Sequence, residues 1–312
     1  MRAEHDARLL EGHATEPLLA AALDSAKNKG ADRLLPDRLA ALFRQRPEAT
    51  TAAISLLRKN GPTKRITDAL GSAGSPAAVD ALGSIARDRT LPRPLRIDAL
   101  TAFILAQHPS VVAMRTPAAL LDDDDVSIAS AARIVSGALA RAGRATHPAE
   151  ADRIDAALVA RYRKAQGIEE AQGLLAALGN SLGPSVTPVI ENASHDPRVP
   201  VRAAAARALR LAVGPEVDRL LSAIITDDRD PGVRAAAIFA VSFRHPISPA
   251  LGEALVHAAS VDPVKYVRRG AVTLLRQNPN ASPRIPETLA WIAEHDSQPG
   301  VRRLAQETLT SK

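Results

Sequence analysis

Aspartate and arginine recur together at one spacing in the second half of the chain. Each aspartate is followed six residues later by an arginine, an arrangement that could in principle supply an acid–base pair. The arrangement occurs in four successive segments, whereas catalysis needs one site, so repetition favours a structural role. The four pairs are Asp196 and Arg202, Asp228 and Arg234, Asp262 and Arg268, and Asp296 and Arg302.

Two further groups of residues could bind metal. Residues 122–125 are four consecutive aspartates, but they lack the alternating ligands, glycine and terminal glutamate of a calcium-binding EF-hand loop. We expect them to stabilise the N-terminus of a helix that begins at Val126. The eight histidines are scattered without paired spacing, so we predict no metal site and no cofactor.

Motifs for catalysis are missing. The chain has no cysteine, which excludes a thiol nucleophile, a thiolate metal site and a disulfide framework. It contains no G-x-S-x-G elbow, Walker loop or G-x-G-x-x-G fingerprint. We therefore predict a protein that is not an enzyme.

Composition restricts the ligands further. Only seven of the 312 residues are aromatic, which we interpret as too few for an aromatic-walled pocket or a base-stacking platform. The net charge is +6 and the pI is near 10.0. This balance permits contact with polyanions, although an arginine-rich, alanine-rich bacterial composition explains it equally well.

A repeat of 32 to 34 residues predicts paired helices. Each Asp-Arg segment carries a Val-Arg pair, at Val201, Val233, Val267 and Val301, followed four residues later by alanine and eight residues later by a larger aliphatic residue. These offsets describe one stripe of an α-helix. Second amphipathic segments lie between the Val-Arg helices, and the first half shows a looser series of helices. The candidate helices are 16–26, 36–45, 49–60, 76–87, 94–107, 116–121, 126–141, 149–166, 168–178, 215–225, 248–259 and 283–294.

This pattern resembles the HEAT repeat. The resemblance implies an all-α fold: a HEAT-like α-α superhelix, a two-layered curved solenoid of helix pairs. It also implies that the eight recurring aspartates and arginines form a ladder between neighbouring units. We predict a single solenoid over residues 1–312, with looser helical repeats in 1–195 and regular repeats in 196–312.

Two stretches resemble a narrower group, the superhelical domain of the vitellogenin family of large lipid transfer proteins. The residues that match the first family segment are Asp68, Ala69, Leu70, Gly74 and Ala77. Those that match the second are Ala177, Leu178, Gly179, Asn180, Gly183 and Pro188. The resemblance implies a role beside lipid. The chain lacks the family's β-barrel and β-sheets, so we expect lipid carriage only if further domains accompany it.

Arginines outside the ladder are our candidates for partner binding. In HEAT solenoids the Val-Arg helix usually lines the concave surface, and cations there would attract an acidic protein segment or phosphates. A solvated helix face is the alternative, and Arg161, Arg163 and Lys164 form another basic cluster. The candidate residues are Arg207, Arg210, Arg269, Arg276 and Arg303.

We therefore expect a protein-interaction scaffold that uses its concave face. The alternatives are a structural superhelical domain of a bacterial vitellogenin-like lipid transfer protein and a nucleic-acid-binding HEAT-like protein, which the scarcity of aromatic residues disfavours. No apolar run approaches the roughly 18 residues of a membrane helix, and residues 1–10 do not resemble a signal peptide. We expect a soluble, cytoplasmic chain, or a secreted or periplasmic one if a targeting segment has been removed.

Overall fold

The computed structural model describes residues 2–24, 33–61 and 63–310, which contain nineteen α-helices and no strand. The helices of the first half are α1 Arg2–Leu10, α2 Thr15–Asp24, α3 Leu35–Gln45, α4 Ala49–Asn60, α5 Lys64–Ala73, α6 Pro76–Arg87, α7 Arg93–Ala102, α8 Val111–Ala118, α9 Val126–Gly143 and α10 Pro148–Lys164. Those of the second half are α11 Ile168–Ser181, α12 Thr187–Ala193, α13 Val199–Ala208, α14 Pro215–Asp227, α15 Pro231–Val241, α16 Pro249–Val261, α17 Lys265–Gln277, α18 Ile285–His295 and α19 Pro299–Thr310. Two 3₁₀ turns, Phe103–Leu105 and Leu209–Leu211, follow α7 and α13.

Two helices of the second unit begin at a residue whose side chain caps a backbone N–H. The side chain of Ser248 accepts a hydrogen bond from the Leu251 N–H at the start of α16, and Asp230 accepts from Gly232 and Val233 at the start of α15. Proline follows both caps, at a position where its missing N–H does no harm. Cap and proline together fix where these two helices begin.

Tertiary contacts divide the chain into two compact units, Met1–Ala157 and Leu158–Lys312. In the first unit α1, α3, α5, α7 and α9 pack side by side, and α4, α6 and α8 form the other layer. In the second unit α11, α13, α15, α17 and α19 pack side by side as one layer, and α14, α16 and α18 as the other. We call these two sets in the second unit the odd layer and the even layer.

The core of the second unit consists of the small and aliphatic residues that the repeat predicts. The four repeat valines are buried, and the alanines four residues later are completely buried. Of the residues at the next turn, Leu209, Val241 and Leu275 are completely buried, while the side chain of Leu309 lies outside the described residues. Small core residues let the helices approach closely, which keeps the odd layer dense.

Two helix crossings in particular depend on glycine. A Cβ placed on Gly179 of α11 would lie 2.5 Å from the carbonyl oxygen of Ala208 at the end of α13. Gly71 of α5 meets the backbone of Ala102, at the end of α7, in the same way. In both cases the crossed helix continues directly into a 3₁₀ turn, so each unit contains the same packing device.

The prediction of an all-helical fold is confirmed, with local corrections. A helix at 116–121 is wrong: Ser110 caps the Ala113 N–H, so α8 begins at Val111 and ends at Ala118. Helices α1, α5 and α12 were not predicted from the sequence. Residues 25 and 26 of the candidate helix 16–26 lie outside the described residues. The single solenoid over 1–312 stays a prediction.

Candidate protein-binding face

Arginine side chains connect successive repeats of the second unit. Arg234 Nε and Nη2 donate to the two carboxylate oxygens of Asp262, over 2.6 and 2.9 Å, and its Nη1 donates to the backbone oxygen of Asp228 over 2.9 Å. One guanidinium thus joins its own inter-helix loop to the loop of the next repeat. Arg202 makes the same contacts with Asp196 and Asp228, and Arg268 makes them with Asp262 and Asp296.

Two of these pairs, Arg234 with Asp262 and Arg268 with Asp296, are buried. The side chains of Arg234 and Asp262 are 8% and 4% exposed. Burial acts to raise the pKa of Asp228, but hydrogen bonds from Arg202 and from the Asp230 N–H outweigh it and lower that pKa below its ordinary value. The hydrogen bond with Asp262 raises the pKa of Arg234. Groups that hold their charges this firmly are unsuited to exchanging protons near neutral pH and serve to fix the stack.

The two outermost residues of the series are bound differently. The carboxylate of Asp196 accepts hydrogen bonds from Arg198 Nε and Nη2, each over 2.9 Å. Arg302 Nη1 donates to the backbone oxygen of Asp296 over 2.6 Å. Three arginine–carboxylate links therefore connect these four repeats.

The first unit has a similar link that the sequence did not reveal. Arg96 donates through Nη2 to Asp123 over 2.9 Å and through Nε to the backbone oxygen of Ala86 over 2.9 Å. Asp123 belongs to the run of four aspartates, whose neighbours Asp124 and Asp125 pair with Arg89 and Arg93. Within the described part of the chain no group of three or more potential metal ligands comes together.

Three positions in each repeat define the side of the Val-Arg helices that faces away from the buried stripe. Residues 2, 6 and 9 positions after the valine fall within about 60° of one another and lie opposite the buried stripe. We call the surface that these positions form on α13, α15, α17 and α19 the outer face of the odd layer. Its members among the residues whose side chains are described are, in chain order, Ala203, which is buried, Arg207, Arg210; Ala235, Phe239, Ser242; Arg269, Thr273, Arg276; and Arg303, Glu307.

Charge is segregated between the Val-Arg helices and the helices that alternate with them along the chain. The four Val-Arg helices and the 3₁₀ turn after α13 carry ten lysines and arginines and one carboxylate, Glu307. Helices α12, α14, α16 and α18 carry seven carboxylates and one arginine, Arg219. Helix α11 differs from its neighbours in the odd layer, with Glu169 and Glu170 in its first turn.

The five predicted partner-binding arginines all belong to the outer face of the odd layer. Arg207, Arg269 and Arg303 are exposed and, among the described residues, contact no carboxylate. Arg276 Nη1 lies 3.5 Å from Glu307, and Arg210 Nη2 donates to Asn180 Oδ1. The cluster of Arg161, Arg163 and Lys164 occupies the last turn of α10.

An apolar groove of about 330 Å³ lies on this face between α15 and α17. Buried Ile238 and Leu274 form its floor, while Phe239 and Tyr266 stand at its sides, 46% and 50% exposed. Phe243 meets Phe239 edge to face, with ring centroids 5.1 Å apart. The expectation that the aromatic residues are too few for an aromatic-walled pocket is therefore wrong.

The repeat alignment holds the signal that identifies this groove. Phe239 stands six residues after its valine, in the column that elsewhere holds Arg207, Thr273 and Glu307. The other three repeats have a polar residue at this position, so a large apolar residue here does not belong to the repeated core. The composition of the chain does not reveal this feature, because a count of aromatic residues does not show where they lie. Four of the seven, all in the second unit, are about half exposed.

Comparison with known proteins identifies the repeat type. Residues 156–242 match the family model of HEAT repeats. The fold is similar to that of lipovitellin in a solved structure of lipid–protein interactions, with a TM-score of 0.60 and 14% identity over 96% of this chain and 33% of that chain. This chain thus spans about a third of the lipovitellin chain. The prediction of a HEAT-like helical repeat similar to the vitellogenin family is confirmed at the level of the fold.

Other similarities are weaker. The phycocyanin lyase complex from Nostoc sp. PCC7120 gives a TM-score of 0.42 and 20% identity, over 84% of this chain and 94% of that one. Human deoxyhypusine hydroxylase gives a TM-score of 0.33 and 15% identity, over 84% of this chain and 94% of that one. No protein of curated function matches the sequence. Among the described residues, no helix combines the length and the apolar character needed to cross a bilayer.

Proposed function

We propose that this protein is a non-enzymatic scaffold that binds an acidic segment of a partner protein on the outer face of the odd layer. The carrying observation is the charge segregation: ten cations against one carboxylate on the Val-Arg helices, and carboxylates on the helices behind them. The four ladder arginines are occupied by the repeats themselves. Of the other cations, Arg207, Arg269 and Arg303 are exposed and contact no carboxylate among the described residues, so the field of this face favours a polyanionic chain.

A stacked layer of helices suits this role for a physical reason. Its side chains stand on rigid helices that the ladder holds in register, so binding orders few groups on the scaffold and loses little conformational entropy. Exposed arginines also offer planar, bidentate donors to carboxylates. A partner segment that crosses several helices would contact one arginine after another.

The test is a charge reversal with a matched control. We expect a triple variant, Arg207→Glu, Arg269→Glu and Arg303→Glu, to recover a physiological partner from its native extract at least ten-fold less efficiently than the wild type. Arg219→Glu, on the even layer, should recover it at the wild-type level. Equal recovery by the wild type and the triple variant would refute the proposed face.

Nucleic acid provides a second readout for the same variants. A polyanion-binding face that serves DNA would bind duplex DNA tightly at low salt, with affinity falling steeply as salt rises. We expect no such tight binding at micromolar protein, because the three exposed arginines that contact no carboxylate, Arg207, Arg269 and Arg303, would make few phosphate contacts and release few counterions. Tight, salt-sensitive binding that the triple variant abolishes would reassign the face to nucleic acid.

A lipid-associated role is the second candidate, and an observation in the first unit favours it. An apolar groove of about 510 Å³ lies between α7 and α9, and its lining includes Ile97, Ile104, Val126 and Ile134. Val126 is 79% exposed and Ile104 is 45% exposed, which is unusual for a surface in contact only with water. The similarity to the lipovitellin fold adds support.

Sedimentation with vesicles tests the lipid role. If it is correct, the protein should co-sediment with phosphatidylcholine vesicles, and Ile104→Ser combined with Val126→Ser should abolish this. Absence of co-sedimentation, together with no phospholipid in organic extracts of the purified protein, would count against it. The neutral vesicles keep the arginine face from producing the result.

A further inference from the structure

We infer that the groove between α15 and α17 binds an apolar side chain of an acidic peptide, whose carboxylates contact the arginines on either side. This inference rests on the proposed function and narrows the ligand class. The arginines alone would accept any anionic chain. The groove adds a requirement for a large apolar residue within the acidic segment.

The shape of the groove follows from small residues set between large ones. Gly270 of α17 faces Ile238 of α15, and a Cβ placed on Gly270 would lie 3.4 Å from that side chain. Ala235 is likewise small, so the surface is depressed between the rings of Phe239 and Tyr266. A volume of about 330 Å³ is at the lower end for small-molecule sites. It suits one or two side chains of a peptide.

Charge complementarity identifies the chemistry of the occupant. Arg269 lies on α17 between Tyr266 and Gly270, two residues of the lining. The helices that flank the groove are α13 and α19, and each brings an exposed arginine to the outer face, Arg207 and Arg303. Cationic residues thus lie on the helices at both sides of the groove. A segment that alternates carboxylates with leucine or phenylalanine satisfies both features.

Aromatic walls give this groove a specificity that the charges lack. The half-exposed rings of Phe239 and Tyr266 would lose water contact when an apolar side chain fills the space between them. Buried aromatic anchors of this kind usually contribute most of the binding energy at a protein interface. We therefore expect the groove to set affinity and the arginines to set the preference for acidic partners.

The experiment uses three fluorescein-labelled decapeptides with the whole protein. The first has a central Leu-Phe pair flanked by four acidic residues on each side, the second has Ser-Ser at the centre, and the third has Leu-Phe flanked by lysines. By fluorescence polarisation, we expect the first peptide to bind at least ten-fold more tightly than the other two. Equal affinity of the first two peptides, or no binding of the first at millimolar protein, would overturn the inference.

Two variants and a matched control assign the binding to the groove. Phe239→Ala and Tyr266→Ala should each weaken binding of the first peptide about ten-fold, with unchanged circular dichroism. Trp291→Ala removes an aromatic side chain that is equally exposed, at 49%, but lies on α18 of the even layer, and it should have no effect. An effect of Trp291→Ala as large as that of Phe239→Ala would contradict the assignment.

Failure of this inference can be told apart from failure of the proposed function. The physiological partner is recovered in parallel with Phe239→Ala and with the triple arginine variant. Loss with the triple variant but not with Phe239→Ala would reject the groove and retain the acidic-partner scaffold. Unchanged recovery of the partner with both variants would reject both the groove and the acidic-partner scaffold.

Discussion

At the scale of single residues, the ladder arginines are the most sensitive positions of the second unit. Arg234→Ala would leave the buried carboxylate of Asp262 without the guanidinium that now donates to both its oxygens. Removing one partner of a buried ion pair costs about 3–5 kcal/mol, so we expect a large fall in the urea midpoint. Arg269→Ala is the control. Arg269 is exposed and lies two residues after the valine of its repeat, so this substitution should leave the urea midpoint unchanged. A small effect of Arg234→Ala would mean that the links contribute little.

Glycine at a helix crossing makes a second prediction at this scale. In Gly179→Ala the new Cβ would lie 2.7 Å from the Cα of Ala208, which forces α11 and α13 apart. Such overpacking costs about 1–3 kcal/mol.

The control for this substitution lies in the same helix. Gly173 has open space where its Cβ would stand, so Gly173→Ala should raise stability by about 0.5–1 kcal/mol through helix propensity. Thermal unfolding of both variants measures the difference. A stabilising effect of Gly179→Ala would show that the crossing is looser than the structure describes.

Residues also differ in how far their roles could be predicted from sequence. The core valines and alanines were predictable because a repeat presents the same stripe four times, and periodicity directly reports burial. The Arg96–Asp123 link was not predictable, because it departs from the six-residue spacing of the second unit. Arg96 lies eight residues after Asp88, and its backbone acceptor is Ala86. The groove residues Phe239 and Tyr266 were not predictable either, since exposure of a single aromatic residue leaves no periodic signal.

At the scale of elements, the carboxylates that join successive helix pairs predict acid sensitivity. Burial acts to raise the pKa of Asp228 and of Asp296 in the folded protein. Hydrogen bonds outweigh it, from Arg202 to Asp228 and from Arg268 to Asp296, so both pKa values are lowered. A lowered folded pKa contributes stability that is fully present above the ordinary carboxyl value near 3.8 and is lost as the pH falls through the folded value. We expect the melting temperature to fall steeply below about pH 4.

A matched pair of variants tests the cause. Asp228→Asn should be less stable than the wild type at pH 7, and the gap should narrow as the pH falls below about 4. Asp227→Asn, at the exposed neighbouring aspartate, should follow the wild-type profile at every pH. A gap for Asp228→Asn that stays constant down to pH 2.5 would contradict the linkage.

Elements also set a limit on what the sequence could reveal. The Val-Arg helices were predictable because valine, alanine and a larger aliphatic residue follow one another at four-residue steps in each of them. Helix α5 contains Gly71 and is followed by Gly74, which adopts the left-handed conformation with φ of 62°. Glycine is unfavourable inside a helix, so the sequence of this segment favours a break between helices. Only the close approach of Ala102 explains why glycine stands inside a helix there.

At the scale of the whole molecule, a repeat protein is stabilised by contacts between neighbours, so damage should remain local. Arg234 of α15 links the loop before its own helix to the loop before α17. In Arg234→Ala we expect faster amide hydrogen exchange in α14 to α17, because these helices lose the guanidinium that joins their loops.

The first unit supplies the internal control for that experiment. Contacts within Met1–Ala157 form a compact unit of their own, with its own link between Arg96 and Asp123. Exchange in α6 to α9 should therefore match the wild type, and Arg96→Ala should reverse the pattern by accelerating exchange there while α14 to α17 stay protected. If either substitution accelerated exchange equally in both units, the chain would unfold as one cooperative body, and stabilisation by neighbouring repeats would be the wrong description of this protein.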